Sequence, residues 1–152
     1  MLVAECVKLV IDQSLDLEVC GCSPIGPHAL KSVILSPPDV VILSLDPEPA
    51  PACALLQAFE ALDPCVPVLA MAGNAKPSYR RRASVWGARG YLSMSEAVEN
   101  LLGAIRAVAG GGSYWPKNRF GKPQITNHPR RHTPWVQPKV THESQEFRLY
   151  AD

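Results

Sequence analysis

Pro38-Asp39-Val40-Val41-Ile42-Leu43-Ser44-Leu45 decides how this chain is read. An uninterrupted apolar run behind an Asp predicts a central strand of a parallel sheet, covered by helices on both faces. In open α/β sheets the working residues lie just past the carboxyl ends of the strands. Ser44, near the end of the run, is therefore the first position to weigh. Its hydroxyl is a poor nucleophile without an adjacent base, and no base stands near it in sequence.

Helices and apolar strands alternate outward from this run. On the N-terminal side, Leu2, Val3, Cys6, Val7, Val10 and Ile11 fall on one helical stripe, with Glu5, Lys8 and Asp12 off it. Leu17 to Cys22 is short and β-compatible. Gly26-Pro27 opens a helix from His28 to about Leu35, with Pro in its first turn, and Pro37-Pro38 stops it. Beyond the run, Asp46-Pro47-Glu48-Pro49-Ala50-Pro51 reads as a stiff loop in which Asp46 caps the next helix. That helix carries Leu55, Leu56, Phe59 and Leu62. Val68 to Ala72 is a second buried strand, Ser78 to Trp86 a weaker helix, and Gly87 to Leu92 a turn and short strand. Ser95 is expected to cap a last helix, Glu96 to Ala109, with Val98, Leu101, Leu102, Ile105 and Val108 inward. Gly110-Gly111-Gly112 ends it. The order predicts a doubly wound α/β sheet.

The chain has 152 residues, 47% hydrophobic and 19% charged, enough for one folded domain with a core. The net charge of +1 is unevenly spread. Residues 1–116 carry 8 Lys and Arg against 11 Asp and Glu, whereas 117–152 carry 7 against 3. The latter segment is rich in Pro, His, Arg and Lys without periodicity, which predicts a disordered or irregular basic tail. The expected division is 1–116 as the domain and 117–152 as the tail. Cys6, Cys20, Cys22, Cys53 and Cys65 are odd in number and scattered, poor material for disulfides. Charge interrupts the N-terminus too early for a signal peptide, and no apolar run approaches the ~18 residues that span a bilayer. A cytoplasmic protein with reduced thiols is expected.

Five segments now stand in register: Asp16 to Val19, Pro38 to Leu43, Val66 to Leu69, Gly87 to Leu92 and Leu101 to Gly111. In their order and spacing the chain resembles, over about residues 2–116, the receiver domain of NarL/LuxR-type two-component response regulators. The resemblance implies a CheY-like (flavodoxin-like) doubly wound parallel sheet of strand order 2-1-3-4-5. It also implies aspartyl phosphorylation in a phosphorelay. An acidic pair and an acceptor Asp hold Mg²⁺ there, and a Ser/Thr and a Lys bind the phosphoryl oxygens. This chain departs at each position. Ser44 stands at the acceptor, Ala72 at the Ser/Thr switch and Met94 at the Lys. Asp46 matches a loop position that offers a backbone carbonyl to the metal. A pseudo-receiver without receiver-type phosphoryl transfer is expected.

The family's first strand, with its acidic pair, is missing ahead of Leu2. Three readings are open: the start lies downstream of the natural one, the chain is a decayed gene product, or another segment fills the gap. The first two are favoured, because Val136 to Val140 and Phe147 to Tyr150 are weak strand candidates. The helix-turn-helix domain that follows the family's receiver is not expected in the 36 residues after Pro116, which Pro123, Pro129, Pro134 and Pro138 interrupt.

The expected role is regulation of bacterial signal transduction or transcription through protein contacts or self-association. Arg80, Arg81, Arg82, Tyr91 and Arg106 are the candidate surface, beside the bland reading of the arginines as a solvated helix face. The alternatives are an accessory nucleic-acid-binding protein and a response-regulator remnant. In the first, Lys117, Arg119, Lys122, Arg130 and Arg131, interleaved with Tyr114, Trp115, Phe120 and Trp135, would contact phosphates and bases weakly. No enzymatic activity, cofactor, metal or membrane partner is expected. Cys20 and Cys22 with His128 and His132 imitate a zinc set, but a strand and a Pro-broken segment are poorly suited to align them.

Overall fold

The computed structural model describes residues 2–46, 49–62, 66–73, 77–115 and 147–151. In chain order the elements are α1 (Leu2–Ile11), β1 (Leu17–Cys22), α2 (Pro27–Leu35), β2 (Val40–Ser44) and α3 (Pro49–Glu60). They continue with β3 (Val68–Ala72), α4 (Pro77–Val85), β4 (Gly90–Ser93), α5 (Met94–Ala109) and β5 (Phe147–Ala151). The five strands form one sheet of order β1-β5-β2-β3-β4 with every pairing parallel.

The apolar run predicted as a central strand is β2, and its side chains divide between two cores because successive residues of a strand face opposite ways. Val40 and Ile42 join Leu69, Met71 and Leu92 under α1 and α5, where Val7, Ile11, Leu101, Ile105 and Val108 close the layer. Val41, Leu43 and Leu45 join Val68, Ala70, Ala72 and Tyr91 on the other face, under α2, α3 and α4. Phe59 and Leu56 of α3 are fully buried there. Truncating Phe59 to Ala would cost about 3–5 kcal/mol.

The expectation of a sheet lacking its first strand is corrected by β5. Leu17, Glu18 and Val19 of β1 stand opposite Phe147, Arg148 and Leu149, with a bulge before Gly21. On the other side Val40, Val41 and Ile42 of β2 stand opposite Leu149, Tyr150 and Ala151. The segment 147–151, assigned by sequence to the tail, thus fills the slot between the neighbouring strands. The reason is backbone chemistry: two parallel edges otherwise carry unpaired N–H and C=O groups in the middle of the fold. Taking β5 as the family's first strand, the spatial order becomes 2-1-3-4-5. The weaker candidate, Val136 to Val140, lies outside the described residues.

Boundaries shift elsewhere for local reasons. The N-cap of α5 is Ser93, not Ser95, because Glu96 reaches back to it: the Ser93 N–H donates to Glu96 Oε2 at 3.3 Å, and the Ser93 hydroxyl donates to the same oxygen at 2.6 Å. At the far end of α5, Gly111 takes φ 89°, a left-handed conformation that favours glycine. The chain then returns along the edge of β4, where the Tyr91 N–H donates to the Tyr114 carbonyl at 3.0 Å and the Tyr114 N–H to the Arg89 carbonyl at 3.1 Å. This contact requires a glycine at position 90. A Cβ there would lie 2.8 Å from the Tyr114 carbonyl oxygen and 2.9 Å from a Leu69 methyl.

Candidate functional site

The carboxyl ends of β2, β3 and β4 bring Ser44, Ala72 and Met94 to one end of the sheet. Ser44 closes β2, half-buried, with Met71 as its register neighbour. Its Oγ accepts the Asp46 N–H at 3.3 Å. Among the described residues it meets no carboxylate or imidazole to withdraw its proton. Ala72 closes β3, almost fully buried, opposite Ser93. It offers a methyl where a hydroxyl would be needed to bind a phosphoryl oxygen. Met94 opens α5 directly after β4, and its half-buried side chain packs against the core beneath α1 and α5. A thioether there supplies no cation.

Asp46, read from the sequence as a cap for α3, is engaged across the end of the sheet. Its Oδ2 accepts the N–H of Gly73 just past β3, tying the loop after β2 to the loop after β3. Strand geometry explains the difference: the parallel pairing of β2 with β3 brings these two loops side by side, so the Gly73 amide is within reach. Nearby, Tyr91 is buried, and desolvation pushes its phenol up to about 12, with the Asp46 and Glu96 carboxylates and Tyr79 adding to the shift. Among the described residues no three His, Cys, Asp or Glu side chains gather as a metal set. Cys20 and Cys22 are exposed, and His128 and His132 lie outside the described residues.

Of the five residues assigned to an interaction surface, one lies in the core and one is held in an ion pair. Tyr91 is in the core beneath α2, α3 and α4, which corrects its place on the surface. Arg106 is spoken for: its Nε donates to Asp16 Oδ2 at 2.8 Å and its Nη2 to Asp16 Oδ1 at 2.7 Å. The Ser14 hydroxyl also donates to Asp16 Oδ1. The Arg106 fork and the Ser14 hydroxyl hold the Asp16 carboxyl well below the usual carboxylate range. This pair fastens α5 to the turn before β1, and no local pattern marks it because the partners are remote in the chain.

Arg80, Arg81 and Arg82 do share α4, and Arg81 and Arg82 are exposed. They border features that composition alone concealed. A hollow of about 500 Å³ is lined by Pro77, Ser78, Arg81, Arg82, Val85 and Trp86. A second, of about 450 Å³, is lined by Ala50, Cys53, Ala54 and Gln57 of α3 with Arg82 and Trp86. Of the proposed nucleic-acid contacts, Lys117, Arg119, Lys122, Arg130 and Arg131 lie outside the described residues, as do Phe120 and Trp135. Tyr114 is buried in the core beneath α1 and α5, and Trp115 packs against the opposite core. Both are engaged in packing, which corrects their reading as exposed stacking platforms.

The strand order and the two helical layers define a receiver-like α/β domain. No family model matches the chain. It is 34% identical over 97 residues to the transcriptional regulatory protein DesR of Bacillus subtilis (strain 168), covering 63% of this chain and 47% of that protein. It is 29% identical over 145 residues to YvfU, an uncharacterized transcriptional regulatory protein of the same organism, covering 93% of this chain and 66% of the relative. The chain thus spans about half to two thirds of the length of these relatives. A LuxR-family DNA-binding response regulator from Staphylococcus aureus superposes with a TM-score of 0.62 over 71% of this chain and 90% of that one, at 20% identity. Receiver-domain similarity rests on these relatives, and the superposition shows the shared fold. No helix among the described residues is long and apolar enough to cross a membrane.

Proposed function

We propose that this chain is a receiver-like regulatory domain that works through protein contacts and is not phosphorylated at the position where receivers accept phosphate. Its curated relatives are named as transcriptional regulatory proteins and the structure it superposes on is a LuxR-family response regulator, which supports a role in signalling or transcription. The observation that carries the rest is Ser44 at the end of the central strand, beside Ala72 and Met94. Aspartyl phosphorylation needs a carboxylate nucleophile and donors for the incoming oxygens. These three side chains provide a hydroxyl without a base, a methyl and a thioether. Asp46, the nearest acid in sequence, already accepts the Gly73 amide. The nucleic-acid alternative is less favoured, because the described aromatics of its contact set are engaged in packing.

Incubation of the full chain with acetyl phosphate and Mg²⁺, followed by intact mass measurement, tests the proposal. An unchanged mass is expected. An alkali-labile phosphate adduct, whether lost in Asp46→Asn or retained there, would overturn it.

A further inference from the structure

We propose that the groove between α3 and α4 is a docking site for an acidic, apolar-faced helix of a partner protein. This rests on the reading of the domain as one that acts by protein contact, and it names the surface and the chemistry of the partner.

The groove is built by two helical stripes. Ala50, Cys53, Ala54 and Gln57 are spaced i, i+3, i+4 and i+7 on α3, and small side chains at the first three keep the floor low. Across it, Arg82 and Trp86 stand one turn apart and line both hollows, making a single wall between them. Trp86 is half-buried against the core, so its ring is held, while Val85 beside it is 74% exposed. Arg82 reaches over the floor: its cation pulls against the burial that pushes the Cys53 thiol up to about 11. The thiol therefore stays protonated at neutral pH and serves as an apolar surface.

Charge selects the occupant. Helix α4 carries three arginines and no acid, and Glu60, the one acid of α3, faces Arg89 at 3.8 Å. Among the described residues neither Arg81 nor Arg82 makes an ion pair. Residues 1–116 are acidic as a whole, so this stripe is a local positive field on a negative body. Carboxylates on a partner would meet Arg81 and Arg82 while aliphatic side chains fill the floor beside Trp86, the helix-in-groove mode of recognition. Two or three arginines give few phosphate contacts, and an aliphatic floor does not reward a sugar-phosphate chain. The observations therefore favour a protein over a nucleic acid.

The test is a helical peptide library panned without bias against the full chain. Each enriched peptide is then measured by fluorescence anisotropy against wild type, Arg82→Lys, Arg82→Glu and Trp86→Ala. Peptides with Asp or Glu flanking apolar residues at i, i+3 or i+4, and i+7 are expected. Arg82→Glu should weaken them about tenfold or more, Arg82→Lys much less, and added salt should weaken them too. Arg82 is exposed, so Arg82→Glu keeps its fold, and a melting curve checks Trp86→Ala. No enrichment, peptides without acid, or binding that survives both Arg82→Glu and Trp86→Ala would overturn the proposal. So would tighter Arg82-dependent binding of an oligothymidine, or self-association in sedimentation that Arg82→Glu abolishes, which would make a second copy the occupant. Repeating the titration with acetyl phosphate and Mg²⁺ separates the two claims. Arg82-dependent binding that requires the phosphodonor sinks the phosphate-independent reading and leaves the groove. Phosphate-independent binding elsewhere on the domain does the reverse.

Discussion

Leu149 stands opposite Val40 in the parallel pairing of β5 with β2, although the two lie far apart in the sequence. The same Leu149 stands opposite Val19 on the other side. A strand flanked on both sides supplies hydrogen bonds to two neighbours, each worth about 0.5–1.5 kcal/mol net. Their sum is comparable with the whole stability of a small domain, about 5–15 kcal/mol.

Removing residues 147–152 should therefore unfold the domain or drive it to aggregate. Placing the same six residues ahead of Leu2 through a flexible linker should restore it, because the slot reads strand geometry rather than chain order. Leu149→Pro, which deletes a ladder donor and is poorly tolerated in a central strand, should lower the urea midpoint sharply. Denaturation curves of the full chain and these variants check this. An unchanged midpoint in Leu149→Pro would contradict it.

The fork between Arg106 and Asp16 predicts an acid limb. The Asp16 carboxyl titrates below its ordinary value in the folded state, so the unfolded chain takes up a proton first as pH falls. The contribution is complete above about pH 4 and is lost progressively as the pH drops toward the lower, folded value. Both side chains are more than a third exposed, so solvent screening holds the pair to about 1 kcal/mol or less. Urea melts at pH 7 and pH 3 should show a larger gap for wild type than for Asp16→Asn. Equal gaps would remove the fork from the account.

Tyr91 predicts the alkaline counterpart. Its folded pKa of about 12 lies above the ordinary 10, so the folded domain holds the phenolic proton longer than the unfolded chain. Stability is therefore complete below about pH 10 and falls as the pH rises through 12. Ultraviolet titration should show a late tyrosinate step that is missing from Tyr91→Phe. A step near 10 that disappears in that variant would place the ring in water.

The doubly wound fold was legible because β2 and β3 are continuous apolar runs and the stripes of α1, α3 and α5 keep helical spacing. Ser44, Ala72 and Met94 were singled out through the resemblance to receivers, and the apolar runs of β2 and β3 marked the strand ends on which Ser44 and Ala72 fall. What stayed hidden was tertiary. Phe147 to Ala151 is as long as β2 or β3, but Arg148 breaks its apolar run, and only the pairing with β1 and β2 identifies it as a central strand. Nothing local separates Arg106, held by Asp16, from Arg82, which stands over a groove. Tyr91 looked available as an aromatic near a helix, but β4 is covered on both faces and all four of its residues are buried. The Asp46 contact with Gly73 depends on two loops that meet only once the strands have paired.

The strand ends carrying Ser44, Ala72 and Met94 are expected not to take a phosphoryl group. Beryllofluoride with Mg²⁺ mimics a phosphorylated carboxylate, so hydrogen exchange of the full chain with and without it reads the site directly. Identical exchange is expected in peptides covering 44–46, 72–73 and 93–94. Added protection in those peptides, dependent on both Mg²⁺ and beryllofluoride, would contradict it.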